Sequence, residues 1–171
     1  MYFEKVGIEG TFIVGAYYND TIGAFVGNGG INTYTNCYSR VIIQSESDKD
    51  IQYTYCGGFQ GYIRQDKSLS ATLKNCYFAG KIINNNGNNN FSYSKPFIGG
   101  FSTTNEETDL TNCYYNSEIF TPNQTTIAQG LSTSEMSDAS NYQGWDFKTD
   151  ENDTEYTWYI DPDTGYPELH F

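Results

Sequence analysis

A threefold repeat constrains the fold of this chain more than any other feature of its sequence. Three segments, at about 22–43, 56–83 and 98–120, each contain a glycine-rich element with a phenylalanine, then an Asn-Cys-Tyr triplet, then an apolar stretch. The triplets are 39 and 37 residues apart. A unit this short cannot bury its apolar face alone, so such repeats stack against one another.

Each repeat predicts three short strands, because β-branched and aromatic residues lie between glycine and asparagine turns. Parallel stacking, with strands about 4.8 Å apart, places equivalent residues in columns that point inward. The predicted columns are Phe25/Phe59/Phe101, Tyr34/Leu73/Leu110, Cys37/Cys76/Cys113 and Ile43/Ile82/Ile119. Asn36, Asn75 and Asn112 are predicted to form a corner ladder, since asparagine tolerates the left-handed backbone that a corner requires. The sequence therefore predicts an all-β parallel solenoid of about three coils over 1–127, with part of another coil before residue 20.

The four cysteines have two interpretations. An even count in a chain from an oxidising compartment favours two disulfides. The repeat instead places Cys37, Cys76 and Cys113 in one register, and Cys56 where Ile22 and Ile98 stand in the other repeats. Buried cysteine behaves as a small apolar residue, and in-register parallel neighbours have poor geometry for a bridge. We expect free thiols in the core, with disulfides as the alternative.

Three tyrosines, Tyr38, Tyr77 and Tyr114, directly follow the inward cysteines. Strand alternation points them outward, so that stacking would form an aromatic stripe. Two interpretations remain open. The stripe is either an exposed surface that binds a sugar or a protein, or a structural feature that packs across strands or lies beneath a loop.

These elements resemble the GLUG-motif repeats of bacterial surface proteins. The resemblance rests on the segments around Phe25, Phe59 and Phe101, and on a C-terminal end that carries Gly130-Leu131-Ser132, Gly144-Trp145 and Gly165-Tyr166-Pro167. It implies a right-handed parallel β-helix. It also implies carriage within secreted or wall-attached adhesin-like proteins, in which such repeats are not the catalytic part.

The C-terminal region differs in charge from the rest of the chain. Residues 132–171 hold ten acidic side chains and one basic one, and so carry nine of the twelve net negative charges. The run Ser-Thr-Ser-Glu at 132–135 predicts the capping box of a short helix. We expect residues 128–171 to form a cap that closes the open apolar end of the stack, with its carboxylates in water. The spacing of the acids matches no complete calcium loop.

Composition excludes several classes of function. A pI near 4.2 argues against a nucleic-acid surface, and no apolar run approaches the roughly 20 residues of a membrane-spanning helix. The only histidine, His170, lies one residue from the end of the sequence, and nothing predicts a partner that would position it for catalysis. We therefore expect no catalytic residue, no metal and no cofactor.

The predicted function is that of a non-catalytic module of an extracellular or cell-surface bacterial protein. It would act as a stalk or as an adhesive surface for a host protein or a glycan. We expect the chain to be a fragment, without its signal peptide, of a larger surface protein. The alternative is a carbohydrate-binding or polysaccharide-processing β-helix.

Overall fold

The chain folds mainly into short strands, with one helical turn near its C-terminal end. The computed structural model describes residues 1–15, 20–46, 51–64, 71–83, 87, 91–101, 108–122 and 126–171. The strands are, in chain order, β1 (Tyr2–Glu4), β2 (Gly7–Val14), β3 (Thr21–Gly23), β4 (Val26–Gly29), β5 (Thr33–Thr35), β6 (Tyr38–Ser45), β7 (Ile51–Gly57), β8 (Gln60–Ile63), β9 (Ala71–Lys74), β10 (Tyr77–Phe78), β11 (Lys81–Ile83), β12 (Phe91–Lys95), β13 (Ile98–Phe101), β14 (Thr108–Thr111), β15 (Tyr114–Asn116), β16 (Gln129–Leu131), β17 (Trp158–Ile160) and β18 (Pro167–Leu169). Between β16 and β17 lie the helical turn α1 (Thr133–Met136) and a 3-10 turn at Ala139–Asn141.

Within the described residues, the strands form four parallel sheets and one antiparallel hairpin. Sheet A contains β1, β5, β9 and β14; sheet B contains β2, β6, β10, β11, β15 and β16; sheet C contains β3, β7 and β12; sheet D contains β4, β8 and β13. The pairings join equivalent strands of successive repeats, so that Leu73 lies beside Tyr34 on one side and Leu110 on the other. The hairpin is β17 with β18. The architecture is all-β, with successive repeats stacked in parallel.

The cysteines lie in the interior, and all four thiols are free and buried. Each thiol of the column donates to the carbonyl oxygen two residues before it: Cys37 Sγ to Thr35 at 3.2 Å, Cys76 Sγ to Lys74 at 3.3 Å and Cys113 Sγ to Thr111 at 3.5 Å. Burial raises the pKa of the Cys56 and Cys76 thiols. At these two positions the interior therefore favours the protonated thiol.

The three asparagines form a ladder at the corner that leads from sheet A into sheet B. Asn36, Asn75 and Asn112 have φ values of 51°, 52° and 53°. Asn75 Nδ2 donates to Asn36 Oδ1 at 3.2 Å, and Asn112 Nδ2 donates to Asn75 Oδ1 at 3.4 Å. Glu4 is the register partner of Thr35, so Lys5 occupies the position equivalent to Asn36. Its φ of 50° continues the same corner, but its side chain has no amide to extend the ladder.

The predicted phenylalanine column is wrong in its third member. Phe25 stacks on Phe59 with ring centroids 4.8 Å apart, but Phe97, not Phe101, approaches Phe59 on the other side, at 5.0 Å. Phe101 instead lies beside Ile63.

The misalignment of the third repeat has a simple cause. The predicted columns match Gly99-Gly100 to Gly57-Gly58. The structure instead pairs Ser94 with Cys56 and Lys95 with Gly57, so the predicted register of this repeat is four residues out. The prediction that Ile98 shares the register of Cys56 is wrong for the same reason.

The isoleucine column is also wrong in its third member. Ile43 and Ile82 are register partners, but β15 ends at Asn116, before the chain reaches Ile119. The side-chain oxygen of Asn116 accepts from the backbone N–H groups of Glu118 and Ile119, at 3.0 and 3.1 Å, and this holds the chain in a turn. Phe120 is the buried residue that follows.

Glycines let sheets C and D pack backbone against backbone. A Cβ atom at Gly61 would lie 2.4 Å from the backbone nitrogen of Ile22, and one at Gly99 would lie 2.7 Å from that of Cys56. Real side chains do not fit at such distances, so the close approach of the two sheets requires glycine. The glycine-rich element of the repeat thus has a packing role as well as a conformational one.

Candidate functional site

The tyrosines that follow the inward cysteines form one row on the outer face of sheet B. Tyr77 is the register partner of Tyr38 on one side and of Tyr114 on the other. The rings of Tyr38 and Tyr77 stack with centroids 5.2 Å apart and planes 12° apart. We call Tyr38, Tyr77 and Tyr114 the covered stack, because only 7%, 0% and 3% of their surfaces are exposed.

The C-terminal segment, residues 132–171, covers this row. Its buried residues Met136, Tyr142, Trp145, Trp158 and Leu169 cluster with the three tyrosines, apart from the interior core. The Trp158 ring centroid lies 6.2 Å from that of Tyr77. The expectation of an exposed stripe is therefore wrong, and the alternative of a covered row describes the structure. Residues 128–171 were expected to close the end of the stack. Their first strand, β16, does extend sheet B beyond β15, but the apolar residues of 132–171 pack on the outer face of that sheet.

Each tyrosine hydroxyl of the covered stack bonds to this segment. Tyr38 Oη donates to Glu168 Oε2 at 2.8 Å, and Tyr77 Oη donates to the Pro167 carbonyl at 2.8 Å. Tyr114 Oη accepts from the backbone N–H of Gln143 at 2.8 Å. Burial raises the pKa of all three hydroxyls. The repeat thus supplies three neighbouring attachment points for one segment of the chain.

An ion-pair cluster fastens the end of the segment to the first strands of sheet B. Arg40 donates to both Glu9 and Glu168, and its guanidinium lies 5.1 Å from the Tyr38 ring centroid. Burial acts to raise the pKa of Glu9, but hydrogen bonds from Arg40 and Tyr38 outweigh it, so the pKa is lowered. Tyr38 leans over Gly7, where a Cβ would lie 2.3 Å from the ring. Glycine in β2 therefore makes room for the cluster.

Two buried side-chain polar atoms among the described residues have no hydrogen-bond partner, one in the covering segment and one on the interior face of β6. They are Trp158 Nε1 and Ser39 Oγ. An unpaired buried donor costs about 1–3 kcal/mol. Trp158 therefore contributes to the interface through the area of its ring rather than through its N–H.

A second group of tyrosines, which sequence reasoning missed, lies on sheets C and D. We call Tyr55, Tyr62 and Tyr93 the open cluster, because all three are half-buried. Tyr55 and Tyr93 are register partners whose rings stack at 4.5 Å and 12°, and the Tyr62 ring lies 4.7 Å from that of Tyr55. A Cβ at Gly100 would lie 2.1 Å from the Tyr55 ring, so this glycine lets the ring rest on the neighbouring sheet. The available signal was the alternation of Tyr55 with the inward Cys56.

Two basic residues accompany the open cluster. Lys95 follows Tyr93 by two residues within β12 and so shares its strand face. Arg64 comes directly after the end of β8 and is exposed. Lys95 Nζ lies 5.9 Å from the Phe101 ring centroid. Sheets C and D and their turns lie within the described residues 20–30, 51–64 and 91–101. Across these ranges the charged residues are the two bases and a single acid, Asp20. The net charge of these described ranges alone is +1, on a chain whose net charge is −12.

The described residues include side chains of the types that bind metals and the single histidine of the sequence. Among them, no group of three His, Cys, Asp or Glu side chains is placed to bind a metal ion. His170 stacks on the Tyr156 ring, with centroids 4.1 Å apart, and its backbone N–H donates to the Thr157 carbonyl. No helix found in the described parts of the chain has the length and apolar character needed to span a bilayer.

Comparison with other proteins gives no assignment: no family model, curated protein or solved structure matches the chain. The resemblance to GLUG-motif repeats therefore stays a prediction. What the chain offers for function is two aromatic surfaces on a stacked β scaffold, one covered by its own C-terminal segment and one open.

Proposed function

We propose that the chain is a right-handed parallel β-helix that serves as a non-catalytic module of an extracellular bacterial surface protein, as a stalk or an interaction surface. The observation that carries the proposal is the in-register pairing of equivalent strands in all four parallel sheets. Crossovers between parallel strands are right-handed in nearly all proteins, which supports the handedness.

The use of the side chains supports a scaffold role. Inward side chains such as Cys76, Leu73 and Ile82 pack in the core. The buried Gln60 side chain forms its hydrogen bonds with other residues of the repeats. Stacked repeats of this kind extend along one axis and present their outer faces as long surfaces. Such a molecule separates or displays other groups without chemistry of its own.

The proposal is tested on intact cells that express the complete gene of the source organism. Antibodies raised against residues 1–171 are expected to label unpermeabilised cells, or to find the protein in the medium. Labelling only after permeabilisation would contradict the extracellular placement. Release of reducing sugar ends or of peptides by the purified chain, lost on replacing one cluster of carboxylates, would contradict the non-catalytic assignment.

A second candidate, carbohydrate binding, is favoured by one specific observation. The open cluster presents three half-buried tyrosines beside Lys95 and Arg64 on one surface. Tyrosine supplies an apolar ring and a hydroxyl at once, which suits a ligand that has both apolar and hydroxylated faces.

A further inference from the structure

Strand β2 is an open edge of sheet B. Among the described residues it pairs only with β6, over eight residues in parallel register. The Val6 carbonyl accepts from the N–H of Tyr38, and the Val14 carbonyl accepts from the N–H that follows β6. Main-chain groups alternate between the two sides of a strand, so the odd-numbered residues of β2 direct theirs away from β6. These residues are Gly7, Glu9, Thr11 and Ile13.

Neither the composition of β2 nor the chain beside it protects this edge. Natural edge strands often carry lysine or proline, which discourage further pairing. β2 contains neither, and its one charged residue, Glu9, already binds Arg40. Residues 16–19, which lie outside the described part of the chain, are too few to run along an edge of eight residues.

The inward side chains of β2 are incompletely covered. Ile8 and Phe12 pack on the core but are only partly buried, whereas Ile43, the register partner of Phe12, is fully buried. The difference arises because Ile43 has a strand on each side and Phe12 has one on a single side. A strand added to the edge would therefore bury apolar surface as well as pair main-chain groups.

The sequence of β2 is complementary to itself in one antiparallel register. Hydrogen-bonded residues lie directly opposite each other in an antiparallel pair, so the odd-numbered residues must face odd-numbered ones. The register centred on Gly10 places Val6 opposite Val14 of a second copy, and Ile8 opposite Phe12. Of the registers that keep the hydrogen bonds, this one pairs the most apolar side chains, and such cross-strand pairs stabilise a sheet. Gly10 faces its own counterpart, and its φ of 118° favours glycine.

We propose that two copies of the chain associate through β2, antiparallel and about a two-fold axis at Gly10. Each copy offers the same edge, so the interface is symmetric and joins the two copies of sheet B into one continuous sheet. The odd-numbered residues supply the main-chain donors and acceptors, and the inward apolar residues meet beside the axis. The inference goes beyond the proposed function and does not rest on it.

The test is sedimentation equilibrium of the purified chain at concentrations up to about 1 mM, in about 0.15 M salt to screen the negative charge of both copies. The mass is expected to rise with concentration from 19.3 kDa toward twice that value. Thr11→Pro removes one N–H from the open edge and none that bonds to β6, a position at which proline is tolerated. Thr11→Val keeps the N–H and is the matched control.

Thr11→Pro is expected to raise the Kd of the dimer at least about tenfold, because the symmetry of the interface removes the hydrogen bond twice. Thr11→Val is expected to keep the original Kd. Thermal unfolding of each variant verifies the fold. Hydrogen exchange of the unsubstituted chain is a second measurement that needs no variant: the N–H groups of Thr11 and Ile13 are expected to gain protection as concentration rises.

Three outcomes would overturn the inference. The first is a mass that stays at 19.3 kDa at every concentration. The second is an equal Kd for the Thr11→Pro and Thr11→Val variants, which would mean that the copies meet elsewhere. The third is association without added protection at Thr11 and Ile13. None of these bears on the cell-surface labelling described above, so failure of this inference and failure of the proposed function are distinguishable.

Discussion

The covered stack and the open cluster are both rows of tyrosine, yet they have opposite relations to solvent. Both arise because parallel stacking brings equivalent tyrosines into register, with Tyr38 beside Tyr77 and Tyr55 beside Tyr93. They differ because a segment far away in sequence lies on one row; Glu168, for example, bonds to Tyr38 across 130 residues. The repeat determines which way a side chain points, and the rest of the chain determines whether it reaches water.

The largest effect is expected from removing the ring at the centre of the covering segment. Trp158 is fully buried beside the covered stack and beside Trp145, whose ring centroid is 4.4 Å away. Trp158→Ala is expected to lower the free energy of unfolding by about 3–5 kcal/mol, as for other buried tryptophans. Urea unfolding measures this loss.

Two comparisons sharpen that result. Trp158→Phe is expected to cost clearly less than Trp158→Ala, because the indole N–H has no partner to lose. Tyr2→Ala, at an exposed position, is expected to leave stability nearly unchanged. A loss from Trp158→Ala below about 1 kcal/mol would mean that the segment does not pack on the tyrosines.

Alkaline pH is expected to weaken the covered stack next. Burial raises the folded-state pKa of Tyr38, Tyr77 and Tyr114 above the unfolded value of about 10. Above pH 10 these hydroxyls ionise in the unfolded state but stay protonated in the folded state, so ionisation stabilises the unfolded state. The free energy of unfolding therefore falls above pH 10, by about 1.4 kcal/mol per pH unit for each such hydroxyl. Tyrosinate absorbance and circular dichroism are expected to change together as the segment unfolds. Complete tyrosine ionisation in a protein whose circular dichroism stays native would contradict the burial.

The asparagine corner gives a smaller expected effect, of about 1–2 kcal/mol. Asn75 has a left-handed backbone, which an alanine adopts only at that cost, and Asn75→Ala also removes two ladder bonds. Asn75→Gly relieves the backbone cost and is expected to lose less. Lys5→Gly, at the equivalent corner without an amide, is expected to raise stability. A thermal-unfolding series in which glycine is worse than alanine at position 75 would contradict the left-handed corner.

The last comparison removes one hydroxyl from each row, and its second member has the smallest expected effect. Tyr77→Phe leaves the buried Pro167 carbonyl without its donor and is expected to cost about 1–2 kcal/mol. The same change at Tyr93, which is half-buried in the open cluster, is expected to cost under about 0.5 kcal/mol. Equal losses at the two positions, measured by urea unfolding, would remove the distinction between the rows.

The sequence predicted the parts of the fold that depend on local chemistry. The Asn-Cys-Tyr triplets recur without variation, and their positions lead to the corner geometry of Asn36, Asn75 and Asn112 and to the inward register of the cysteines. The capping box between Ser132 and Glu135 is also present, with both reciprocal bonds formed.

The features that the sequence did not predict correctly have two physical causes. Phe101 was placed in the core column because glycine pairs look alike in sequence, although strand pairing selects Phe97. The cover over the tyrosines and the open cluster depend on contacts between distant segments, such as Trp145 Nε1 with the Asn112 carbonyl, which no periodicity reveals.

The central claim is that the C-terminal segment lies along the tyrosine face of the stacked repeats. The most direct test is a nuclear Overhauser experiment on protein labelled in its Trp, Tyr and Leu side chains. Cross-peaks are expected from the Trp158 ring to Tyr77, and from Trp145 to Tyr114, whose ring centroids are 6.2 and 6.0 Å apart. Cross-peaks from Trp158 to Leu110, at the end of the stack, with none to Tyr77, would contradict the claim.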